Sequence, residues 1–171
     1  MKEIKFRGKK VITDSGDDWV VGDLLRPGTI IPLWDREDPR APVLSNLDFI
    51  PVHEDSIGQY IGQDKEANEV FEGDIVEQEF SVCDETPYHD ASVDMYGWHR
   101  GVVSLTPAGA VIKRPIFSIT NQLEDETRTG KLKGNKAVVL SRCRVVGNII
   151  DKPELLEFQN KEIQEEVTIE R

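Results

Sequence analysis

A chain of 171 residues with 38 % hydrophobic and 31 % charged residues is long enough for one domain and too apolar to be disordered. At this length about two-thirds of the unfolded surface can be buried, so no disulfide or metal staple is required. Two cysteines, Cys83 and Cys143, are too few for a secreted disulfide framework, and the start Met1-Lys2-Glu3-Ile4-Lys5-Phe6 has no apolar signal core. With apolar runs far below the about 20 residues that span a bilayer, the expectation is a soluble chain in a reducing, intracellular setting, with no membrane partner.

Glycine and proline punctuate the chain, and between them lie runs rich in Val, Ile, Phe and Trp, the pattern of short antiparallel strands. In chain order, strands are expected near 3–7, 18–25, 29–33, 48–53, 56–61, 69–79, 99–105, 109–113, 116–119 and 137–150. Gly28 after Pro27, and Gly109 at the end of Thr106-Pro107-Ala108-Gly109, suit turns in which glycine supplies a positive φ. Gly22-Asp23, Gly73-Asp74 and Gly147-Asn148 each precede two apolar residues and read as turn-to-strand entries. Asp35 to Pro42 reads as a charged loop, because Pro39 and Pro42 block a helix. Near the end, Asp151, Pro153 and Glu154 suit a capping box for a short helix carrying Leu155, Leu156 and Phe158. Beyond Asn160 a frayed, charged tail is expected.

Few groups suggest chemistry. Cys83, His89, Asp90, Asp94 and His99 are the only cluster of metal-ligand types, but their spacing lacks the paired short intervals of zinc sites. A polar excursion between strands accounts for them better, and with Tyr88, Tyr96 and Trp98 interleaved it could pack or contact a partner. Glu72 and Asp74 are paired carboxylates across a glycine; a turn-capping Asp74 and a solvent-facing Glu72 are the simpler reading. Gly58 and Gly62 lie in strand-like sequence and form no phosphate cradle. No G-x-S-x-G, H-E-x-x-H, P-loop or G-x-G-x-x-G pattern occurs, so no catalytic, metal or cofactor residue is assigned and an enzyme is not favoured. Trp19 and Trp98 read as strand core, while Trp34, ahead of the charged loop, is the candidate for exposure. In Phe6-Arg7-Gly8-Lys9-Lys10, Phe6 is expected in the core and Arg7 against an acidic neighbour, in preference to a nucleic-acid arm.

Charge is distributed unevenly over the net of −11. Residues 1–100 hold 10 basic and 22 acidic residues, residues 101–150 hold 8 and 3, and residues 151–171 hold 3 and 7. The eight cations of the middle segment, Lys113, Arg114, Arg128, Lys131, Lys133, Lys136, Arg142 and Arg144, form a candidate partner-facing basic patch. It could meet the acidic surface of another subunit or nucleic acid. Nucleic acid is the less favoured of the two, because single-strand binders present stacking aromatics and only Phe117 lies in this segment.

Three blocks carry a resemblance. They are Phe6-Arg7-Gly8-Lys9 with Trp19-Val20 and Gly22-Asp23; Ile57-Gly58-Gln59-Tyr60 and Gly62 with Phe71-Glu72-Gly73-Asp74-Ile75-Val76; and Val145-Val146-Gly147-Asn148-Ile149 with Asp151, Pro153, Glu154, Leu155 and Leu156. In this order they resemble the YopX family of phage and prophage proteins. The family pattern departs at Ile61, Gln63, Phe71 and Ile150, and a glycine expected between Asp64 and Glu69 is replaced by Ala67-Asn68, where Asn68 tolerates the left-handed conformation and could preserve the turn. The resemblance implies a mostly β fold with an SH3-like barrel, a higher homo-oligomer, and the cytoplasm of a bacterial host.

The domain expectation is one YopX-like β domain over 1–160, with room for an N-terminal sub-module over 1–55, and a charged tail over 161–171. The functional expectation is a phage- or prophage-encoded, non-enzymatic, self-assembling interaction protein with an unknown protein partner. The alternative is a nucleic-acid-binding module that uses residues 101–150.

Overall fold

In a computed structural model, residues 4–12, 18–32, 49–84, 93–121 and 126–157 are described, with backbone only at 82–84 and 93–94. Trp34, the charged loop 35–42, His89, Asp90 and the tail beyond 157 lie outside these residues. The protein is mostly β, as expected, with two antiparallel sheets and short 3-10 turns. Among the described residues the strand pairings close neither sheet on itself. No helix among them is long and apolar enough to cross a membrane.

The chain divides into two compact units, Met1–Gly62 with Phe71–Gly73, and Gln63–Val70 with Asp74–Arg171. The first unit carries β1 (Phe6–Lys9), β2 (Trp19–Arg26), β3 (Thr29–Pro32), β4 (Ile50–Pro51) and β5 (Gly58–Gln63). With β6 (Glu69–Phe71) these form one sheet in the order β4-β3-β2-β1-β5-β6. Its core is Val20, Ile30 and Val52, with Phe6, Leu24, Ile50 and Ile57 packed against them. Phe6 thus takes its expected place. Arg7 stacks between two rings, with its guanidinium 4.6 Å from the centroids of both Trp19 and Phe71. A 3-10 turn at Glu54–Ser56 is tied to β1 through the buried Ser56, whose Oγ donates to His53 O at 2.6 Å and accepts from Lys9 N at 2.8 Å.

The second unit holds β7 (Asp74–Asp84), β8 (Val93–Thr106), β9 (Gly109–Asn121), β10 (Glu126–Lys131), β11 (Lys136–Ala137) and β12 (Cys143–Asn148). They pair in the order β10-β9-β8-β7-β12, with β11 also on β9. Ile75, Val76, Val103, Ile112, Phe117 and Cys143 are buried among them.

Several boundaries differ from the sequence expectation. The expected strand 69–79 is two strands, because Glu72-Gly73 turns the chain with Gly73 at φ 87°. Of the three expected turn-to-strand entries this is the one that forms; Gly22 lies within β2, and Gly147 lies in β12 beside a register shift. β8 starts at Val93, well before the expected 99, and β10 is a strand that the sequence pattern did not signal. The expected strands 109–113 and 116–119 are one strand, since β9 carries Arg114 and Pro115 through a bulge opposite Gly101. Arg114 has φ 38°, Pro115 is fully buried, and Leu132 N donates to Pro115 O at 2.9 Å. The expected 137–150 strand is β11, a 3-10 turn at Leu140–Arg142 and β12. The short C-terminal helix is a 3-10 turn at Pro153–Leu156, and its N-cap is Lys152 in place of the expected Asp151. Gly28 and Gly109 do sit at turns with φ 77° and 120°.

Candidate functional site

On the second sheet, strand register places side chains in rows, because residues directly opposite one another share a face and neighbours along a strand alternate. One row is Arg144, Glu77, Arg100, Ile116 and Lys131, crossing β12, β7, β8, β9 and β10. The next row on the same face is Glu79, Trp98, Ser118 and Thr129, and beyond it lie Tyr96, Thr120 and Thr127. Contacts agree with this placement. Arg100 donates to Glu77 Oε2 from Nε at 3.1 Å and Nη2 at 2.6 Å, and Arg144 Nη2 donates to Oε1 at 2.7 Å. The Arg100 guanidinium lies 4.6 Å from the centroid of the Trp98 ring, and the Thr120 and Thr127 hydroxyls are 3.0 Å apart. A shallow pocket of about 360 Å³ has Glu79, Tyr96, Trp98, Ser118 and Thr120 in its lining.

Electrostatics hold this face in one state. Burial by itself would raise the Glu77 carboxyl, but hydrogen bonds and charge from Arg100 and Arg144 outweigh it and keep Glu77 below the ordinary carboxylate range. The hydrogen bond and charge of Glu77 in turn push Arg144 above its ordinary value. The Glu66 and Glu79 charges also reach Arg144. The exposed Glu79 is answered by Lys65 Nζ at 2.6 Å.

The loop carrying Lys65 is fixed by the buried Asp64. Its Oδ1 accepts from Glu66 N at 2.8 Å and Asn68 N at 2.9 Å, and its Oδ2 from Val145 N at 2.9 Å and Asn68 Nδ2 at 3.2 Å. Lys65 N donates to Cys143 O at 3.1 Å, so the loop covers part of the outer edge of β12. The left-handed residue in this loop is Ala67, at φ 65°, and not Asn68 as the sequence suggested. Asn68 is instead held by both Asp64 oxygens.

The eight cations of the candidate basic patch are spread over the unit. Arg144 and Lys131 join the face just described, through β12 and β10. Arg128, opposite Ile119 and one residue out of phase with Thr127 and Thr129, belongs to the other face and pairs with Glu126 at 3.2 Å. Lys136, on β11, lies close enough to His99 on that other face to disfavour its protonation. Lys113 and Arg114 are exposed at the β9 bulge, Lys133 in the turn after β10, and Arg142 in the 3-10 turn before β12.

His99, the one member of the metal-type cluster with a described side chain, stacks on Phe80 with centroids 4.3 Å apart. Its Nδ1 is buried without a hydrogen-bond partner, and burial with the Lys136 charge lowers its pKa to about 4. No group of metal-ligand side chains occurs among the described residues. Asp74 is buried and accepts from Asn148 Nδ2 at 3.2 Å across β7 and β12, a structural use of the Glu72/Asp74 pair. Sequence reasoning placed Tyr96 and Trp98 in an excursion that could pack or contact a partner, but it did not join them to Glu77 and Arg100 as a site. The period-2 spacing Tyr96-x-Trp98-x-Arg100 was the available signal, and it was obscured by starting the strand at 99.

Fold and face together define an antiparallel β protein that carries a cation-and-aromatic sheet surface. A profile described as YopX protein matches residues 40–157, and the chain belongs to the YopX family. No curated protein and no solved structure matches it.

Proposed function

We propose that the protein is a non-enzymatic, self-assembling interaction protein encoded by a phage or prophage, and that it engages a partner through the Trp98–Arg100 face. The observation that carries this reading is that face: Tyr96 is 47 % exposed, beside a Trp98 whose ring is backed by an arginine already fixed by Glu77. Side chains held this way are pre-ordered, which lowers the entropic cost of binding. Tyr, Trp and Arg are also the residue types that dominate contact energies.

Three titratable groups of the second unit are poorly placed for proton-transfer catalysis. A general acid or base works best with a pKa near the operating pH. Here Glu77 is held ionised, the His99 imidazole is lowered to about 4 and the Cys143 thiol is pushed up by burial to about 11.

Self-assembly is supported by exposed apolar side chains in the first unit, with Ile12 68 %, Ile4 65 % and Phe49 56 % exposed. The acidic 1–100 and basic 101–150 segments would help orient subunits, and unlike surfaces meeting head to tail can close into a ring. An SH3-like barrel and a cytoplasmic setting belong to the same family-based reading. Light scattering at micromolar concentration tests it: a mass above the monomer, reduced in Ile12→Asp or Phe49→Asp, is expected. A monomeric wild-type chain would remove self-assembly from the proposal.

A further inference from the structure

Resting on the reading of the Trp98–Arg100 face as a contact surface, we infer that its occupant is single-stranded nucleic acid, with bases stacked on Tyr96 and Trp98 and phosphates met by Arg100, Arg144 and Lys131. Three features of the face point to that chemistry.

The first is aromatic spacing. Tyr96 and Trp98 are on one face of β8, two residues apart, which is about 6.8 Å along a strand. That is about twice the 3.4 Å advance per nucleotide in one strand of a duplex. Bases meeting both rings must therefore be spread apart, which a flexible single strand permits and a stacked duplex does not.

The second is the cation row. Arg144, Arg100 and Lys131 stand on β12, β8 and β10, each two strands from the next, or about 9.6 Å. They form one line beside the aromatic rows. Of the nearby carboxylates, Glu77 is paired with the two arginines and Glu79 with Lys65, and the Glu66 charge also reaches Arg144. A line of positive charge with aromatics alongside is how sequence-tolerant single-strand binders track a backbone.

The third is the hydroxyl field. Ser118, Thr120, Thr127 and Thr129 fill the β9 and β10 side of the same face. Hydroxyl side chains commonly contact phosphate and sugar oxygens and fix register without reading sequence. The bulk charge of −11 opposes such a ligand at long range. The expected affinity is therefore modest and the discrimination against duplex more telling than the affinity itself. A second copy of the chain is the rival occupant.

The test uses full-length protein and fluorescence anisotropy with fluorescein-labelled oligo-dT and oligo-U of about 20 nucleotides, long enough for one module's site. The same oligo-dT annealed to oligo-dA supplies the duplex arm, and each arm is run at two salt concentrations. Both single strands are expected to bind better than the duplex. The slope of log affinity on log salt should be no steeper than about −2, the value for three phosphates on a single strand. Tyr96→Ala and Trp98→Ala should each weaken binding about tenfold or more, with Trp98→Phe retaining most of it. Lys131→Glu should weaken it, while Arg128→Glu, on the other face, should change it little. No binding, equal binding of duplex, or indifference to Tyr96→Ala would overturn the inference. Light scattering of the same samples separates its failure from that of the broader reading. If nothing binds but Tyr96→Ala lowers the oligomer mass, the face is a subunit contact and only the nucleic-acid inference falls. If nothing binds and the mass is unchanged, the contact reading of this face falls too.

Discussion

The Val145 backbone N–H donates to Asp64 Oδ2 at 2.9 Å, joining a loop to an edge strand that lies far along the chain. One buried carboxylate thereby closes its own loop and occupies a donor on the outer edge of β12. Burial would raise its pKa, yet the N–H groups of Val145, Asn68 and Glu66 and the Asn68 amide together lower it.

Asp64→Ala removes the acceptor and leaves those donors without it in a buried place. Hydrogen bonds to a charged group contribute about 1.5–3 kcal/mol each and are not additive, so a loss of about 3 kcal/mol in urea unfolding is expected. The carboxylate's contribution is present above its unfolded pKa near 3.8 and is lost as pH falls through the lower folded value. Asp64→Ala should accordingly unfold with a weaker acid dependence than wild type. A loss below about 0.5 kcal/mol, the range of ordinary surface substitutions, would show that the loop is held by other contacts.

Ala67 sits three residues further on with φ 65°. A β-carbon in the left-handed region costs roughly 1 kcal/mol, and glycine escapes it at some entropic cost in the unfolded chain. Ala67→Gly is expected to stabilise by about 0.5 kcal/mol, and Ala67→Val to destabilise by more than that. The chemical-denaturation midpoints of the pair give the comparison, and a destabilising Ala67→Gly would contradict the strained turn.

His99 makes stability pH-dependent in a direction fixed by its lowered pKa. Between 6.5 and about 4 the unfolded chain takes up a proton that the folded chain refuses, so stability falls as pH falls through that window. From pH 7 to pH 5 the loss from this group is about 2 kcal/mol. Because the Nδ1 atom has no hydrogen-bond partner and the ring stacks on Phe80, His99→Phe should flatten the profile without breaking a bond. Urea midpoints at pH 7 and pH 5 read it directly. An unchanged slope in His99→Phe would assign the dependence to other groups.

Gly101 faces the β9 bulge. A Cβ there would stand 2.7 Å from Ile112 Cγ2, 3.0 Å from Lys113 O and 3.2 Å from Pro115 Cα. The backbone oxygen and the proline cannot give way easily, so Gly101→Ala should cost about 2 kcal/mol, within the range for overpacked cores. Gly109→Ala, with nothing within 4 Å but a φ of 120°, separates conformational strain from crowding. A smaller loss for Gly101→Ala than for Gly109→Ala would mean that the bulge relaxes.

The sequence by itself determined the mostly β class, the family and most strand positions. Punctuation by glycine and proline limits local runs to strand length, and alternation and turn chemistry act over a few neighbouring residues, so Gly28, Gly73 and Gly109 could be placed as turns. It also singled out Arg144 and Lys131. What it could not give was their partners. Glu77 lies 67 residues from Arg144 and 23 from Arg100; β8 extends beyond its expected start at the end that carries Tyr96 and Trp98, and β10, which carries Thr127 and Thr129, was not expected at all. Counting aromatics within 101–150 therefore found only Phe117, while strand pairing brought Tyr96 and Trp98 alongside that segment. The tertiary structure decided which cations share a face, because face membership depends on register, and a bulge such as that at Arg114 and Pro115 resets register through long-range pairing that no local pattern encodes.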